Sequence, residues 1–246
     1  MRNIKLTIEY DGKEFHGWQK QPNKLNIQGT IEQAINQITG EEVELTASGR
    51  TDAGVHALGQ VANFKTNSSV PIDKWCIALN SILKKSIRIK QAEEVEERFH
   101  SRLSCKRKTY RYVIRHTEFS SAIYRHLETH IPYPLNIENM QKAVSYLVGE
   151  HDFKSFKASG TSSKSSIRTI YQAEVIPKDE EHICIELTGN GFLYNMVRII
   201  AGTLVEVGMG KIEPLAVKNI LEAKDRSLAG KTLPPEGLYL VKVEYQ

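Results

Sequence analysis

Apolar residues follow two different periods along the first hundred residues. Apolar and polar side chains alternate over residues 3–10, which predicts a half-buried strand. Apolar side chains recur at spacings of three and four over residues 27–38, with Asn26 as N-cap, and again in a helix that Pro71 opens. Further strands are predicted at residues 43–47, 58–65 and 87–92. The order β-α-β-β-α-β is the ferredoxin-like arrangement, which RNA-recognition domains share.

The second half has a similar but looser pattern. Helices are predicted from Ile137, over the apolar run 192–207 and from Pro214, and a Ser-rich loop over 159–166 is expected to be mobile. We therefore predict an α+β fold of two ferredoxin-like halves with mainly antiparallel sheets, divided into residues 1–104 and 105–246. Strands of the second half are predicted at 107–115, 129–133, 168–177, 182–188 and 238–245.

The composition is that of an ordinary globular protein. Of 246 residues, 40% are hydrophobic and 25% are charged. No apolar run reaches the roughly 18–20 residues that cross a bilayer, and the N-terminus lacks a signal-peptide core. The three cysteines are far apart and odd in number, which disfavours a disulfide framework or a cysteine zinc site. We expect a cytoplasmic protein that does not bind membranes.

The distribution of charge is more informative than the net charge of +4. Residues 98–117 contain seven lysines and arginines and no acid, and residues 153–173 contain four and again no acid. Segregated positive charge is typical of a protein that binds a polyanion such as nucleic acid. A solvated basic surface is the alternative for both segments.

The densest cluster of candidate chemistry is SGRTDAGVHALGQVANF, residues 48–64. Glycines in such a segment allow a tight turn or a close approach of the backbone to a ligand. A carboxylate on the turn is well placed to meet a substrate, but it can equally cap its own loop as an Asx-turn. The three glycines, Gly49, Gly54 and Gly59, bracket Arg50, Thr51, Asp52 and His56.

Other candidate sites are weaker. His126 and His130 have the spacing of helical metal ligands, but the segment continues into a strand pattern, so we predict no metal site. GKT at 230–232 lacks the preceding glycine of a P-loop, and no nucleophile elbow supports Ser/His/Asp catalysis. The loop that carries Phe15 and Trp18 is expected either to contact RNA or to be buried against the neighbouring strand.

Eight stretches of the chain, in order, resemble the tRNA pseudouridine synthase A family. The most specific is GRTDAGVHALGQVANF, which is similar to the catalytic motif of that family. The match covers nearly the whole chain, although Leu233 stands where the family usually has a small residue. The other stretches are YDGKEFHGWQKQ (10–21), NIQGTIEQAI (26–35), RFHSRLSCKRKTYRY (98–112), HDFKSF (151–156), IRTI (167–170), NGFLYNMVRIIAGTLVEVGMGK (190–211) and PPEGLYLVKVEY (234–245).

The resemblance implies roles for four residues. Asp52 matches the family's nucleophile, and Arg50 the arginine that enters the space left by the flipped nucleotide. Tyr110 matches the tyrosine that stacks on the target uracil, and Arg198 the basic residue that pairs with the catalytic aspartate. The family has a pseudouridine synthase fold with a central cleft, uses neither metal nor organic cofactor, and forms homodimers. Its usual targets are uridines 38, 39 and 40 in the anticodon stem-loop of tRNA.

The chemistry of this reaction needs few protein groups. The C1′–N1 bond breaks, the base turns and C1′ joins C5, so nothing is oxidised and no hydride carrier is needed. Asp52 could attack C1′, attack C6 or remove the C2′ proton. Flipping the base out costs a few kcal/mol, of which stacking on Tyr110 would return roughly 1–3 kcal/mol.

Two other functions fit parts of the sequence. An RNA-binding module or chaperone without chemistry would account for the basic segments and the ferredoxin-like halves. It would not account for a carboxylate in a glycine-flanked turn beside an arginine. Hydrolysis of a glycosidic bond would usually need a second carboxylate, and no other acid of this chain lies in a comparable motif.

Overall fold

The computed structural model describes residues 1–160 and 165–246, which form two compact units. The first unit contains Met1–Lys106 and Tyr239–Gln246, and the second contains Arg107–Leu238. Half of the Ser-rich loop predicted at 159–166, namely residues 161–164, lies outside the described residues. Within the described part of the chain, no helix is long and apolar enough to cross a membrane.

The first unit is an antiparallel sheet with two helices. Its strands lie in the order β4-β1-β3-β2, and every neighbouring pair is antiparallel. With the chain order β-α-β-β-α-β, this confirms the predicted ferredoxin-like arrangement. The elements are β1 (Arg2–Tyr10), α1 (Ile27–Thr39), β2 (Thr46–Ala47), β3 (His56–Thr66), α2 (Trp75–Ile82) and β4 (Ile87–Val95).

Helix α1 begins where its sequence predicts, after Asn26, and ends before a glycine. The Asn26 side chain accepts a hydrogen bond from the Gly29 amide at 2.8 Å, which satisfies one of the unpaired amides of the first turn. At the other end Gly40 adopts the left-handed conformation, with φ of 72°, and its amide donates to the Asn36 carbonyl at 2.7 Å. Ile27, Ile31, Ala34 and Ile35 are buried, as their spacing predicts.

The second unit is also built on an antiparallel sheet, with strand order β5-β9-β8-β7 and the short β6 parallel to β5. Both units therefore confirm the predicted α+β class with mainly antiparallel sheets. Short 3-10 helices cover Ile72–Lys74 in the first unit, and Phe153–Phe156, Arg226–Leu228 and Pro235–Gly237 in the second. The remaining elements are β5 (Arg107–Arg115), β6 (Thr129–His130), α3 (Ile137–Ser145), β7 (Gly149–Asp152), β8 (Ile167–Pro177), β9 (His182–Gly189), α4 (Met196–Gly208), α5 (Ala216–Ala223) and β10 (Leu238–Glu244).

The C-terminal strand differs from the division made on sequence. All of β10 except Leu238 belongs to the first unit, where Tyr239 pairs with His56 in parallel orientation. The space is available because β2 is only two residues long and pairs with β3 farther along, at Ala62 and Asn63. The strand predicted over 43–47 is therefore mostly loop, and β10 occupies the edge beside the start of β3.

Helix α4 is the buried helix predicted from its apolar sequence, but it begins at Met196 and not at residue 192. Asn195 has a positive φ of 58°, which interrupts the helical backbone immediately before Met196. Asparagine tolerates this left-handed conformation better than most residues. Apolar periodicity does not detect such a change, because Phe192 and Leu193 continue the apolar pattern.

Candidate active site

The loop of residues 48–55 connects β2 to β3 and carries Asp52. Gln60, which is fully buried on β3, holds the start of this loop. The Ser48 hydroxyl donates to Gln60 Oε1 at 2.7 Å, and Gln60 Nε2 donates to the Gly49 carbonyl at 2.9 Å. Because both the oxygen and the nitrogen of this buried amide are hydrogen-bonded, Gln60 fixes the backbone that leads to the candidate nucleophile.

Asp52 begins a tight turn that returns the chain to β3. The Val55 amide donates to the Asp52 carbonyl at 3.2 Å, and Gly54 has a φ of 78°. A positive φ at the third position is the feature of a type II turn that favours glycine. The side chain of Asp52 is half-buried, whereas Arg50 is exposed. The turn therefore presents the carboxylate from a defined backbone position.

Thr51 anchors the residue before Asp52. Its hydroxyl lies 2.7 Å from the Tyr10 hydroxyl in a buried contact, and its carbonyl accepts from the Trp18 amide at 3.0 Å. Burial raises the pKa of Tyr10 to about 12, although the bond to Thr51 opposes this shift. Tyr10 is thus a neutral phenol at physiological pH, which suits an anchor and not a proton acceptor.

The loop after β1 packs directly against the Asp52 turn. A Cβ on Gly12 would lie 2.0 Å from the Val55 carbonyl oxygen, and one on Gly17 would lie 2.7 Å from the Thr51 carbonyl oxygen. Both positions therefore need glycine because two backbones meet there. Phe15 and Trp18 are each only 2% exposed. Of the two roles predicted for this loop, burial is the correct one. The loop that carries these rings packs against the Asp52 turn.

His56, at the start of β3, contacts the same loop after β1. It is 2% exposed and its ring stacks on Tyr239 at 4.9 Å. Its Nδ1 lies 3.1 Å from the Gly12 amide and 3.1 Å from Asp11 Oδ1. Nδ1 accepts from the amide when it carries no proton and donates to the carboxylate when it does, so the two contacts require different protonation of this nitrogen. In either state His56 ties the loop after β1 to the start of β3.

The second unit contains the other two predicted site residues. Tyr110 lies on β5, on the same face as Tyr112, and its ring packs edge-on against Phe192 with centroids 5.0 Å apart. Only 8% of Tyr110 is exposed, so most of the ring is already in contact with protein. A stacking role for Tyr110 therefore stays a prediction.

Arg198 lies in the first turn of α4, where two neighbours orient its guanidinium. Nε donates to the Leu233 carbonyl at 2.7 Å and Nη1 donates to Asn195 Oδ1 at 2.8 Å. The Leu233 amide in turn donates to the Arg198 carbonyl at 3.2 Å. The departure from the family at Leu233 thus lies at a position whose backbone orients Arg198. The leucine side chain is buried beside Gly202.

The chain is similar to known proteins over its whole length. The family model for tRNA pseudouridine synthase matches residues 6–103 and 143–246. The chain is 54% identical, over 100% of both sequences, to tRNA pseudouridine synthase A of Thermoanaerobacter sp. (strain X514) and of Caldicellulosiruptor bescii. The same enzyme of Acetivibrio thermocellus is 52% identical over 100% of both chains.

The chain belongs to the tRNA pseudouridine synthase family. It is therefore an isomerase. Among solved structures, a Cbf5–Nop10–Gar1 complex matches with a TM-score of 0.36 and 12% identity, over 96% of this chain and 57% of the other. An archaeal box H/ACA Nop10–Cbf5 complex matches with a TM-score of 0.34 and 11% identity, over 95% and 46%.

The first basic segment of this synthase is partly neutralised. Arg111 forms an ion pair with Glu186 at 2.9 Å, and Arg115 forms one with Glu181. These acids come from β9 and the turn before it, which lie far from β5 in the sequence. The absence of acids along residues 98–117 therefore does not produce an unbroken basic surface, and we assign fewer RNA contacts to this segment than the sequence suggests.

Two further outcomes concern residues singled out on sequence. His130 belongs to strand β6, and its Nε2 lies 2.7 Å from the Thr117 carbonyl oxygen. His126 and His130 therefore do not lie one turn apart on a helix. Among the described residues, no cluster of three or more His, Cys, Asp or Glu could hold a metal ion.

Sequence reasoning missed the residues that support the synthase site. Gln60 and Tyr10 hold the Asp52 loop, and Asn195 helps to orient Arg198. Gln60 had a detectable signal, because it is an amide within an apolar strand and a buried amide needs a buried partner. Asn195 had no such signal, since nothing in the sequence around it marks a left-handed backbone conformation.

Proposed function

We propose that this protein converts uridine to pseudouridine at positions 38, 39 and 40 of the tRNA anticodon stem-loop, with Asp52 as nucleophile and the target base flipped out. The observation that carries the proposal is the Asp52 turn, which is held from both sides by Gln60 and by the Tyr10–Thr51 contact. Family membership and the names of the relatives support tRNA as the substrate. The resemblance in sequence supports the choice of uridines.

A rigid carboxylate suits each of the chemical roles that remain open for Asp52. It can attack C1′, attack C6 or take the C2′ proton, and each route needs an oxygen held close to one atom of the nucleotide. The atoms balance without a cofactor. The C1′–N1 bond breaks, the C1′–C5 bond forms, the C5 proton leaves and N1 takes up a proton.

The two arginines keep the roles inferred from the resemblance. Arg198 lies at the positive end of α4, and its own charge adds to that of the helix terminus, which favours an anionic partner. We propose that it acts as charge partner of the catalytic carboxylate. Arg50 is exposed beside the turn, and we propose that it enters the space left by the flipped nucleotide.

Tyr110 is proposed to stack on the target uracil, and two substitutions test this role. Tyr110→Phe keeps the ring, so tRNA affinity should remain within about twofold. Tyr110→Leu keeps apolar volume but removes the ring, and affinity should fall about tenfold, the scale of one lost stacking contact. Equilibrium binding and thermal melting of each variant separate recognition from stability.

The result for Tyr110→Leu decides between the two roles. If it melts earlier but binds tRNA as the wild type does, Tyr110 is a core residue that packs on Phe192 and does not contact the base. If Tyr110→Phe binds normally but loses catalysis, the phenol hydroxyl takes part in the reaction.

A homodimer and a cytoplasmic location complete the proposal. The segment after β5 exposes three large apolar side chains, Phe119, Ile123 and Tyr124, at 75%, 79% and 52%. The Ser121 hydroxyl oxygen accepts from the amides of Ile123 and Tyr124, which orders the segment locally. Exposed apolar clusters often mark protein interfaces, which supports self-association. Sedimentation of the protein tests it, and a monomer at micromolar concentration would contradict it.

The experiment that tests the proposed function is position-specific mapping. Unmodified tRNA transcripts are incubated with the protein, and pseudouridine is located by mass spectrometry of nuclease fragments. We expect conversion at positions 38, 39 and 40 when these are uridines, with tritium released from uracil labelled at C5. Pseudouridine elsewhere would overturn the target assignment. Binding without conversion would favour an RNA-binding module, and free uracil would favour a hydrolase.

A further inference from the structure

Strand β8 contains a bulge beside an exposed tyrosine. Ile170 pairs with Gly189 and Gln172 pairs with Thr188, so Tyr171 is an additional residue in β8. Regular alternation from the buried Ile170 would expose Tyr171 and bury Gln172. With the bulge, both are exposed, while Ile170 remains buried. Bulges are often found where a strand must redirect one side chain for function.

An arginine covers this exposed tyrosine. The Arg107 guanidinium carbon lies 4.9 Å from the centre of the Tyr171 ring, within the range of a cation–π interaction. Arg107 begins β5, next to Lys108, which pairs with Gly189. Arg107 on β5 and Tyr171 on β8 therefore meet across β9, the strand between them, at one end of the sheet of the second unit. The contact orients Tyr171, which is still 44% exposed.

The charge around this pair favours an RNA ligand. Arg168 lies on β8, three residues before Tyr171. Arg107 and Lys108 add two more basic residues at the adjoining end of β5. Aromatic rings combined with positive charge are the usual means of holding unpaired nucleotides, because the ring stacks on a base and the cations attract the backbone.

We propose that the Arg107–Tyr171 pair stacks an unpaired base of the substrate RNA other than the target uridine. This inference rests on the proposed function. Arg107 is three residues from Tyr110 on β5, about 10 Å along the strand, and residues at an odd spacing point to opposite faces. The pair therefore serves a different nucleotide from the one proposed for Tyr110. Recognition of the RNA then depends on an unpaired base in addition to the target.

A double-mutant cycle between protein and RNA tests the inference. A set of tRNA transcripts, each with one abasic nucleotide at an unpaired position other than the target, is bound to the wild type and to Tyr171→Ala. We expect Tyr171→Ala to lower affinity for intact tRNA about tenfold, and one abasic position to lower wild-type affinity equally. For that position alone the two effects should not add, because each removes half of the same contact.

Matched variants separate stacking on the ring from charge attraction and from loss of the fold. Tyr171→Phe keeps the ring and should bind within about twofold of the wild type. Arg107→Lys keeps the charge but loses the planar guanidinium, so a loss of affinity would distinguish stacking from simple attraction. Tyr133→Ala removes another tyrosine, 54% exposed, and should leave binding unchanged. Thermal melting confirms that each variant is folded.

The inference is overturned if Tyr171→Ala binds like the wild type, or if its effect adds to that of every abasic position. It is also overturned if no abasic position lowers wild-type affinity, and because that measurement needs no folded variant, the inference stays falsifiable if Tyr171→Ala is unstable. The outcome is separable from that of the proposed function, because a wild-type protein that forms no pseudouridine fails the earlier mapping experiment.

Discussion

Asp52→Asn is expected to abolish pseudouridine formation while tRNA binding and thermal stability are retained. Loss of a nucleophile or of an essential carboxylate lowers kcat by roughly 10⁴-fold or more in well-studied enzymes, which corresponds to about 5.5 kcal/mol. The fold of the loop should survive, because neighbouring residues hold it. Gln60 bonds its start, and Thr51 bonds to Tyr10 and to the Trp18 amide.

Tritium release from tRNA labelled at uracil C5 measures this effect directly. Asp73→Asn is a matched control, because Asp73 is an exposed carboxylate of the same unit that pairs only with neighbouring Lys74 among the described residues. It should have wild-type activity. Asp52 would not be the essential group if Asp52→Asn kept more than about a tenth of the wild-type rate, a loss of only about 1.4 kcal/mol. Asp52→Ala should behave in the same way.

Gly17→Ala is expected to lower kcat by roughly 100-fold, although residue 17 has no chemical role. Its Cβ would lie 2.7 Å from the Thr51 carbonyl oxygen and 3.2 Å from the Ala53 amide nitrogen. The backbone on both sides of Asp52 must then move. A displacement of about 1 Å in a catalytic group is enough to cost that much rate. Initial rates on tRNA measure the change, and melting measures the accompanying loss of stability.

Gly40→Ala separates backbone strain from displacement of the turn. Gly17 and Gly40 have similar positive φ values, 84° and 72°, so a Cβ costs about 1–2 kcal/mol at either position. A Cβ on Gly40 would meet no atom within 4 Å. We therefore expect Gly40→Ala to melt earlier but to keep its kcat. Equal losses of kcat in the two variants would contradict the proposed link between Gly17 and the Asp52 turn.

Local sequence predicted most of the elements, because their signals act over a few residues. The cap at Asn26 and the isoleucines of α1 specify that helix without reference to the rest of the chain. The alternation over residues 3–10 likewise specifies β1. The motif around Asp52 identified the candidate site, since a carboxylate between glycines in a loop between two strands restricts both the backbone and the chemistry.

Contacts between distant residues decided what local sequence could not. Phe15 and Trp18 fitted RNA contact and burial equally well, and only the packing of their loop against the Asp52 turn showed that they are buried. In the basic run over 98–117, Arg98, Arg111 and Arg115 form ion pairs with acids that lie outside the run. The bulge at Tyr171 has no local signal, because it reflects how β8 is aligned with β9.

The amino-acid sequence by itself determined the α+β class, most helix and strand positions, the family and the candidate nucleophile. These follow from periodicity, capping and short motifs, which depend on residues near one another in the chain. Only the tertiary structure decided that Gln60 and Tyr10 hold the Asp52 loop, that Leu233 orients Arg198 and that β10 joins the first unit. Those contacts join residues far apart in sequence, and their geometry exists only once the sheet of each unit has formed.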